Sequence, residues 1–327
     1  MFIPESYALA LVLMIINMTC WGSWANTYKL TKGIRFELFY WDYAAGIFLM
    51  SLVLAFTLGS TGGDDAFLAN LGRAGGRQIS FALLAGTIFN LANLLLLGAI
   101  AIAGLAVAFP VGIGTALVTG TVLTYLVEPK GNGVLITGGV ALAILAVLSD
   151  AKAYREVAAS QPSVTKKSIV MCIASGLLMG SWSPLTTAAM AAGPGQLTPY
   201  TSTVFFTLAA LLSTLPFNLY LMKKPIVGEP VSMSGYFKNG SSWHLLGILG
   251  GCIWAVGTGL NLVAGRKVGF AIAYAVGQSA PMIAALWGVF VWKEFSGATP
   301  QAKRYLALMF IFYVGAIAVL TSASMPS

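Results

Sequence analysis

The sequence predicts an all-α integral membrane protein with ten transmembrane helices arranged as a 5+5 inverted-topology repeat. Three observations predict this fold: a composition too apolar for a soluble protein, ten apolar segments of spanning length, and similar short motifs in the two halves of the chain. Hydrophobic residues make up 58% of the 327 residues and charged residues only 9%. A soluble domain carries about a quarter charged residues, so this chain has too few to cover a water-facing surface.

The apolar residues are grouped into runs that match the thickness of a bilayer. A spanning helix needs about 20 mostly apolar residues. Predicted helices 3 and 4 are separated only at Gly104, and predicted helices 8 and 9 only at Gly265-Arg266-Lys267, so both pairs require tight turns. The ten predicted helices are Tyr7–Tyr28, Phe39–Leu58, Ile79–Ile102, Leu105–Leu126, Val134–Ser149, Ser168–Ala191, Pro199–Met222, Trp243–Ala264, Phe270–Trp292 and Tyr305–Ser322.

The basic residues predict the orientation of the chain in the membrane. Of the 18 Lys and Arg residues, thirteen fall on one side of the predicted helices and five on the side that holds both termini. The positive-inside rule therefore places both termini outside a plasma or inner membrane and the loop after helix 5 in the cytoplasm. The formal charge of +8 is thus explained by membrane topology. We expect a lipid bilayer, and no nucleic acid, as partner.

Short motifs recur in the same order on either side of a polar linker. The linker, 150–167, divides a first five-helix unit, 1–149, from a second, 168–327. The recurring motifs are Gly22-Ser23-Trp24 with Gly180-Ser181-Trp182, Gly86-Thr87-Ile88-Phe89 with Gly251-Cys252-Ile253-Trp254, and Gly104-Leu-Ala-Val-Ala-Phe109 with Gly269-Phe-Ala-Ile-Ala-Tyr274. Because five is odd, the second unit enters the membrane inverted, which is the architecture of many secondary transporters.

Several motifs resemble the ureide permeases of the drug/metabolite transporter superfamily. They are Phe39-Tyr-Trp-Asp-Tyr43, Asn93 through Gly104-Leu-Ala-Val to Glu128, Tyr200-Thr201, and Gln278-Ser-Ala-Pro281 followed by Trp287-Gly288 and Lys293-Glu294. The resemblance covers nearly the whole chain. Glucose/ribose porters and rhamnose-type symporters share its ten-helix plan. The resemblance implies a central cavity between the halves and proton- or ion-coupled uptake of ureides, nucleobases or sugars.

Polar side chains within the apolar runs are candidate solute ligands, because such groups usually face the bundle interior or a cavity. Asn90 and Asn93 lie on one face of helix 3, and Tyr274 and Gln278 lie one turn apart in helix 9, before Pro281. That proline removes a backbone hydrogen bond near residue 277. Interhelical hydrogen bonding and a packing kink are the alternatives. Two further prolines predict similar breaks, Pro110 and Pro184.

Three tryptophans lie deep within their predicted helices, away from the interfacial positions at which Trp usually anchors. They are Trp24, Trp182 and Trp254. An indole can stack on a flat ring or a sugar face and donate one hydrogen bond. We therefore predict that they line the cavity, with ordinary core packing as the alternative.

Asp42 is the predicted coupling residue, because it is the acid that falls within one of the ten predicted runs. A carboxyl group that is buried could carry the coupling proton. The alternative is an interfacial acid paired with nearby Lys29, Lys32 or Arg35. His244 begins predicted helix 8 at the cytoplasmic edge, where a surface position is expected.

The sequence therefore favours a secondary active transporter, or permease, that moves a small polar solute by alternating access. An exporter of the same fold is the first alternative, and an integral membrane enzyme is the alternative from a different class. An enzyme would need a cluster of His, Asp or Cys ligands or a nucleophile with a base, and one histidine with scattered acids does not supply it. We expect no enzymatic activity, no metal or other cofactor, and a monomer or a homodimer.

Overall fold

The computed structural model describes residues 1–103, 105–157, 165–238 and 240–324, and within these ranges the secondary structure is helical, without β-strands. Ten of the described helices are long and apolar enough to cross a membrane, which confirms the predicted all-α fold. Their bounds are Tyr7–Leu30 (α1), Phe36–Ser60 (α2), Gly76–Ala103 (α3), Pro110–Val127 (α4), Gly133–Val157 (α5), Lys166–Ala189 (α6), Pro199–Lys223 (α7), Ser241–Val268 (α8), Phe270–Val291 (α9) and Pro300–Ser322 (α10).

Successive helices run in opposite directions, so the bundle has two ends. The terminal face holds the start of α1 and the end of α10, together with a short helix, Phe67–Arg73. The basic face is the opposite end and holds the α1–α2 connection and a second short helix, Met233–Lys238. Most lysines and arginines lie at the basic face, which is the predicted cytoplasmic side.

Several helices extend beyond the apolar runs that predicted them, and in two of them the extension changes a predicted connection. Helix α5 continues to Val157, so the first eight residues of the predicted linker are helical, while 158–164 lie outside the described ranges. Helix α8 continues through the Gly265-Arg266-Lys267 segment to Val268. The turn to α9 lies instead at Gly269, whose φ of 100° is a backbone conformation that glycine adopts without strain. The other predicted turn, at Gly104, lies outside the described residues.

The helices pack closely because glycines remove side chains at their crossings. A Cβ atom on Gly86 of α3 would collide with the backbone carbonyl of Phe206 in α7, and one on Gly251 of α8 would collide with that of Tyr43 in α2. The main helix pairs are α1–α8, α2–α8, α3–α6, α3–α7, α4–α6 and α5–α10. Such small-residue contacts are typical of membrane helices.

The predicted proline breaks have different outcomes. Helix α9 is interrupted between Gly277 and Ala280, just before Pro281. Pro110 lies in a π-helical segment, Phe109–Ile113. At Pro184 the predicted break is wrong, because α6 is continuous from Lys166 to Ala189. The hydroxyl groups of Thr186 and Thr187 donate to the carbonyl oxygens of the two residues that precede this proline, Trp182 and Ser183.

Candidate solute-binding cavity

A cavity of about 280 Å³ lies in the middle of the bundle, between α1, α3, α6, α8 and α9. Five of the predicted ligands line it: Trp24, Asn93, Trp182, Trp254 and Gln278. Among the described lining residues, no side chain carries a formal charge at neutral pH. The cavity therefore combines aromatic surface with amide groups, which suits an uncharged polar solute.

The cavity continues towards the basic face. A second cavity of about 320 Å³ shares four lining residues with it, including Tyr28 and Phe36, and reaches the ion pair between Arg35 and Glu37. The hydrogen bond that Arg35 donates to the Glu37 carboxylate raises the pKa of the Arg35 guanidinium above its ordinary value. The route from the central cavity to the basic face is thus lined first by aromatic rings and then by this pair.

Aromatic rings cover the part of the cavity that faces the terminal face. Trp21 stacks on Trp254, with ring centroids 6.3 Å apart, and meets the edge of Trp182 at 6.1 Å. Its indole N–H donates to Thr258 at 3.1 Å, which fixes the ring against α8. The sequence reasoning missed Trp21, although it lies one helical turn before Trp24 in the same apolar run. We call Trp21, Trp182, Trp254, Phe89 and Phe206 the aromatic layer.

Asn93 and Asn90 occupy different places, although they share one helix face. Asn93 lines the cavity, and its Nδ2 donates to the Tyr40 hydroxyl at 3.1 Å. That hydroxyl donates to Asn90 Oδ1 at 2.7 Å, and Asn90 Nδ2 donates to Ser213 Oγ at 2.8 Å. Asn90 does not line the cavity; its hydrogen bonds link α2, α3 and α7. Interhelical hydrogen bonding, the alternative considered for both amides, is therefore the role of Asn90. With its Nδ2 committed to Tyr40, Asn93 has its carbonyl oxygen left for a solute.

Tyr274 lies behind the aromatic layer and not in the cavity lining. Its ring is fully buried and meets Trp182 edge to face, with centroids 5.6 Å apart. Its hydroxyl donates to the Ala116 carbonyl of α4 at 3.1 Å. A Cβ atom on Gly120 would collide with the Tyr274 ring. The residue therefore supports Trp182 from behind, and it joins α9 to α4.

The break in α9 places Gln278 and Pro281 at the cavity. Behind the break, Asn261 Nδ2 donates to the Ala273 carbonyl at 2.7 Å and to Asn17 Oδ1 at 2.9 Å. Within the described residues, Asn17 Nδ2 and Ser279 Oγ are buried without a hydrogen-bond partner. Asn17 and Asn261 were missed as functional candidates. The signal that singled out Asn93, an amide inside an apolar run, is present at both positions.

Asp42 lies outside the cavity lining, between α2, α8 and the short helix Met233–Lys238. It is buried and accepts a hydrogen bond from the Tyr236 hydroxyl at 2.6 Å, and its Oδ2 lies 2.8 Å from His244 Nδ1. Burial, and then the hydrogen bond to Asp42, raise the pKa of the Tyr236 phenol above its ordinary value. The expectation of a surface His244 is wrong, because its side chain is only 27% exposed and holds Asp42.

Two of the three basic residues considered as partners of Asp42 pair with other acids. Lys29 pairs with Glu294 at the end of α9, and Arg35 pairs with Glu37. The structure therefore does not show an interfacial pair between Asp42 and either Lys29 or Arg35. The sequence could not reveal the His244 contact, because the two residues are 202 positions apart.

Comparison with known proteins supports the resemblance seen in the motifs. The family described as Ureide permease matches residues 165–323. Ureide permease 1 of Arabidopsis thaliana is 24% identical, and the alignment covers 99% of both chains. The chain is ureide permease-like. Ureide permease 2 of the same plant is 23% identical over 99% of both chains, and a probable ureide permease A3 of Vigna unguiculata is 23% identical over 81% of this chain.

A protein of known crystal structure shares the fold of this ureide permease-like chain. The two superpose with a TM-score of 0.63 over 98% of each chain, at 16% sequence identity. At this identity the likeness concerns the fold alone. Together with its ten apolar helices, the likeness to permeases identifies the chain as an integral, multi-pass membrane protein.

Proposed function

We propose that this protein is a secondary transporter that carries a small uncharged polar solute, such as a ureide, a nucleobase or a sugar, by alternating access. The observation that carries the proposal is the central cavity, in which tryptophan rings and two amide side chains converge without a charged lining residue among those described. Relatives named ureide permeases cover the whole chain, and their name favours a ureide.

The size and chemistry of the cavity support this class of solute. Its volume of about 280 Å³ is near the lower end of the range for small-molecule sites, roughly 300–1,000 Å³. A flat ring can stack on an indole, while Asn93 and Gln278 offer a carbonyl oxygen and an amide N–H to its polar edge. A sugar would use the same groups through its hydroxyls.

Alternating access requires that the cavity face each side of the membrane in turn. In this conformation the cavity leads to the basic face, and the aromatic layer lies towards the terminal face. We propose that the two five-helix units, 1–149 and 168–327, form an inverted repeat that exchanges these roles. Matched helix contacts support this proposal. Gly86 packs on a backbone carbonyl of α7, and Gly251, at the equivalent motif position, packs on one of α2. Helices α2 and α7 are equivalent in a 5+5 repeat.

The charge distribution supports an orientation with both termini outside a plasma or inner membrane. We further propose that transport is coupled to protons or another ion, with the Asp42–His244 pair as one coupling element. Export in place of uptake would use the same cavity with a different gradient. An enzyme is disfavoured by the relatives' name.

A binding and exchange experiment tests the proposal. Purified protein is screened by thermal shift against allantoin, uracil, uridine and glucose, because a ligand of the native state raises its melting temperature. The solute that binds is then followed in counterflow exchange by proteoliposomes. We expect Trp24→Ala to abolish the thermal shift and Trp41→Ala to retain it, since Trp41 contacts Met222 outside the cavity. Equal shifts in both variants, or exchange without saturation, would contradict a site in this cavity.

A further inference from the structure

A second buried acid lies in the bundle, at Asp150 of α5. It precedes the end of α5 by seven residues, which places it about 10 Å from the basic end of the helix. The residue is 1% exposed, and its Oδ1 has no hydrogen-bond partner within the described part of the chain. The predicted apolar run ended at Ser149, so Asp150 was assigned to the linker.

Asp150 faces α10 in the interface between the two helices. It lies on the same side of α5 as Val147 and Ala153, three residues before and after it, and these pack in one apolar cluster with Met309 and Tyr313 of α10. The Tyr313 hydroxyl is also buried, and it too lacks a partner within the described ranges. A carboxyl group and a phenol, both unpartnered, therefore share a dry interface.

The ionisable groups around Asp150 are few. Tyr313 faces it from α10 and Tyr154 follows one turn later on α5, and both phenols are close enough for the charge of Asp150 to act on them. Glu294 and Lys29 lie beyond Tyr154. The segment 105–113, which also packs on α5, contains no ionisable residue. Lys152 lies over the Tyr305 ring, and Arg155 and Glu156 point to the exterior of α5.

The cluster around Asp150 is in contact with the back of the cavity wall. The α9 segment Ala280–Leu286 lines the cavity with Ala280, Pro281 and Ala284, and it packs against the cluster with Ala285 and Met282. A change of charge at Asp150 therefore occurs one helix thickness from the cavity.

A polar connection leads to α1 from Tyr154, which follows Asp150 by one turn on α5. The Tyr154 hydroxyl donates to Glu294 Oε2 at 3.4 Å, and Glu294 pairs with Lys29 at the end of α1. The Tyr154 hydroxyl and the Glu294 carboxylate both lie over Gly288. A Cβ atom on this glycine would be 2.7 Å from Glu294 Oε2 and 3.4 Å from the Tyr154 hydroxyl. The pair thus holds α1, which contributes Trp24 to the cavity, against the end of α9.

We propose that Asp150 is a proton-binding site and that its protonation is coupled to the opening of the cavity. The carboxylate takes a proton from water at the basic face and becomes a neutral acid, and it returns to the carboxylate when the proton leaves. An isolated carboxylate in an apolar site is costly, so the charged form must recruit a donor. Tyr154 has one hydroxyl proton to donate, and it leaves Glu294 when it turns to an ionised Asp150. The Lys29–Glu294 pair then loses a supporting contact.

Infrared difference spectroscopy of the reconstituted protein, recorded between low and high pH, tests the proton site without a solute. We expect one component of the C=O absorption of protonated carboxylic acids to titrate in the wild type, shift in deuterated water, and be absent in Asp150→Asn, while the components of Glu128 and the exposed acids remain. The band should persist in Glu156→Gln, an exposed acid on the same helix, and in Asp42→Asn. A set of titrating C=O bands in Asp150→Asn that is identical to that of the wild type overturns the proposal.

Two measurements keep the test informative if Asp150→Asn fails to fold. Labelling aspartate with ¹³C shifts the band of an aspartic acid in the wild type and leaves glutamic acids unchanged, and Tyr313→Phe should shift the same band by removing a neighbouring hydroxyl. An unshifted band in both contradicts the assignment.

The coupling role rests on the proposed transport function and is measured separately. Asp150→Asn should retain exchange of whichever solute the wild type exchanges, but lose accumulation under a proton gradient, and full accumulation contradicts that role.

Discussion

Phe89 of α3 stacks on Trp254 of α8, with ring centroids 4.5 Å apart and planes 29° from parallel. The two residues occupy equivalent places in the recurring Gly86-to-Phe89 and Gly251-to-Trp254 motifs, one in each half of the chain. Trp254 also stacks on Phe206 of α7 and on Trp21 of α1. The two halves therefore meet in the aromatic layer, directly beside the candidate cavity.

The amides at the cavity should contribute to solute affinity. We expect Asn93→Ala and Gln278→Ala each to weaken binding by about 0.5–1.5 kcal/mol, because each removes one hydrogen bond to the solute. This corresponds to a roughly 2- to 12-fold rise in Kd, measured by calorimetry with the solute identified in the thermal-shift screen. Gln301→Ala is the control, since this amide lies at the surface of α10 beside Tyr305. Unchanged Kd values in both cavity variants would exclude these side chains as ligands.

The charge bias predicts which face of the bundle is cytoplasmic. In a background without the three native cysteines, Lys223→Cys at the basic face should react with a membrane-impermeant maleimide only after the cells are opened. Asp64→Cys, exposed at the terminal face, should react in sealed cells. The reverse pattern would invert the proposed orientation and leave the fold unchanged.

The turn between α8 and α9 depends on a glycine. We expect Gly269→Ala to destabilise the protein by about 1–3 kcal/mol, because its φ of 100° strains any residue with a Cβ atom. The loss is measured as a lower melting temperature in detergent. Gly72→Ala is the matched control: this glycine lies in the helix Phe67–Arg73, and a Cβ atom there meets nothing within 4 Å. Equal stability of the two variants would contradict the strain argument.

Glu128, just after α4, should make stability depend on pH. Burial raises the pKa of its carboxyl above the ordinary value of 4.5, while the nearby charges of Lys130 and Arg266 oppose that shift. The folded state then binds the proton more tightly than the unfolded state, so its stability falls as the pH rises from about 4.5 through the raised pKa. Glu128→Gln should flatten the melting temperature across this window, whereas Glu5→Gln, at an exposed residue, should not. A wild-type melting temperature that rises across this window would contradict the prediction.

Asp42 is expected to take part in ion coupling through His244. Asp42→Asn keeps the shape and hydrogen-bonding capacity of the side chain but cannot bind a proton. The variant should still exchange labelled solute across proteoliposome membranes and fail to concentrate it under a proton gradient. His244→Gln should have an effect in the same direction, because it removes the imidazole that lies 2.8 Å from Asp42. Full gradient-driven accumulation by Asp42→Asn would remove it from the mechanism and favour another coupling ion or facilitated diffusion.

The sequence by itself determined the all-helical fold, the ten spanning helices and the likeness to ureide permeases. Each of these depends on local information: the length of an apolar run, or residues that are close along the chain. It also identified Trp24, Asn93, Trp182, Trp254 and Gln278 as residues that meet at the cavity. An indole or an amide within hydrocarbon needs a partner or a cavity, and that need can be seen in a single helix.

Only the tertiary structure decided which polar groups face the cavity and which face another helix. Asn90 and Asn93 share a helix face, yet Tyr40 and Ser213 from other helices satisfy Asn90 and leave Asn93 at the cavity. The environment of Asp150 was likewise hidden, because its burial arises from α10, more than a hundred residues later in the chain. Hydropathy fixes which segments are removed from water, whereas the partners of a buried polar atom depend on contacts between distant helices.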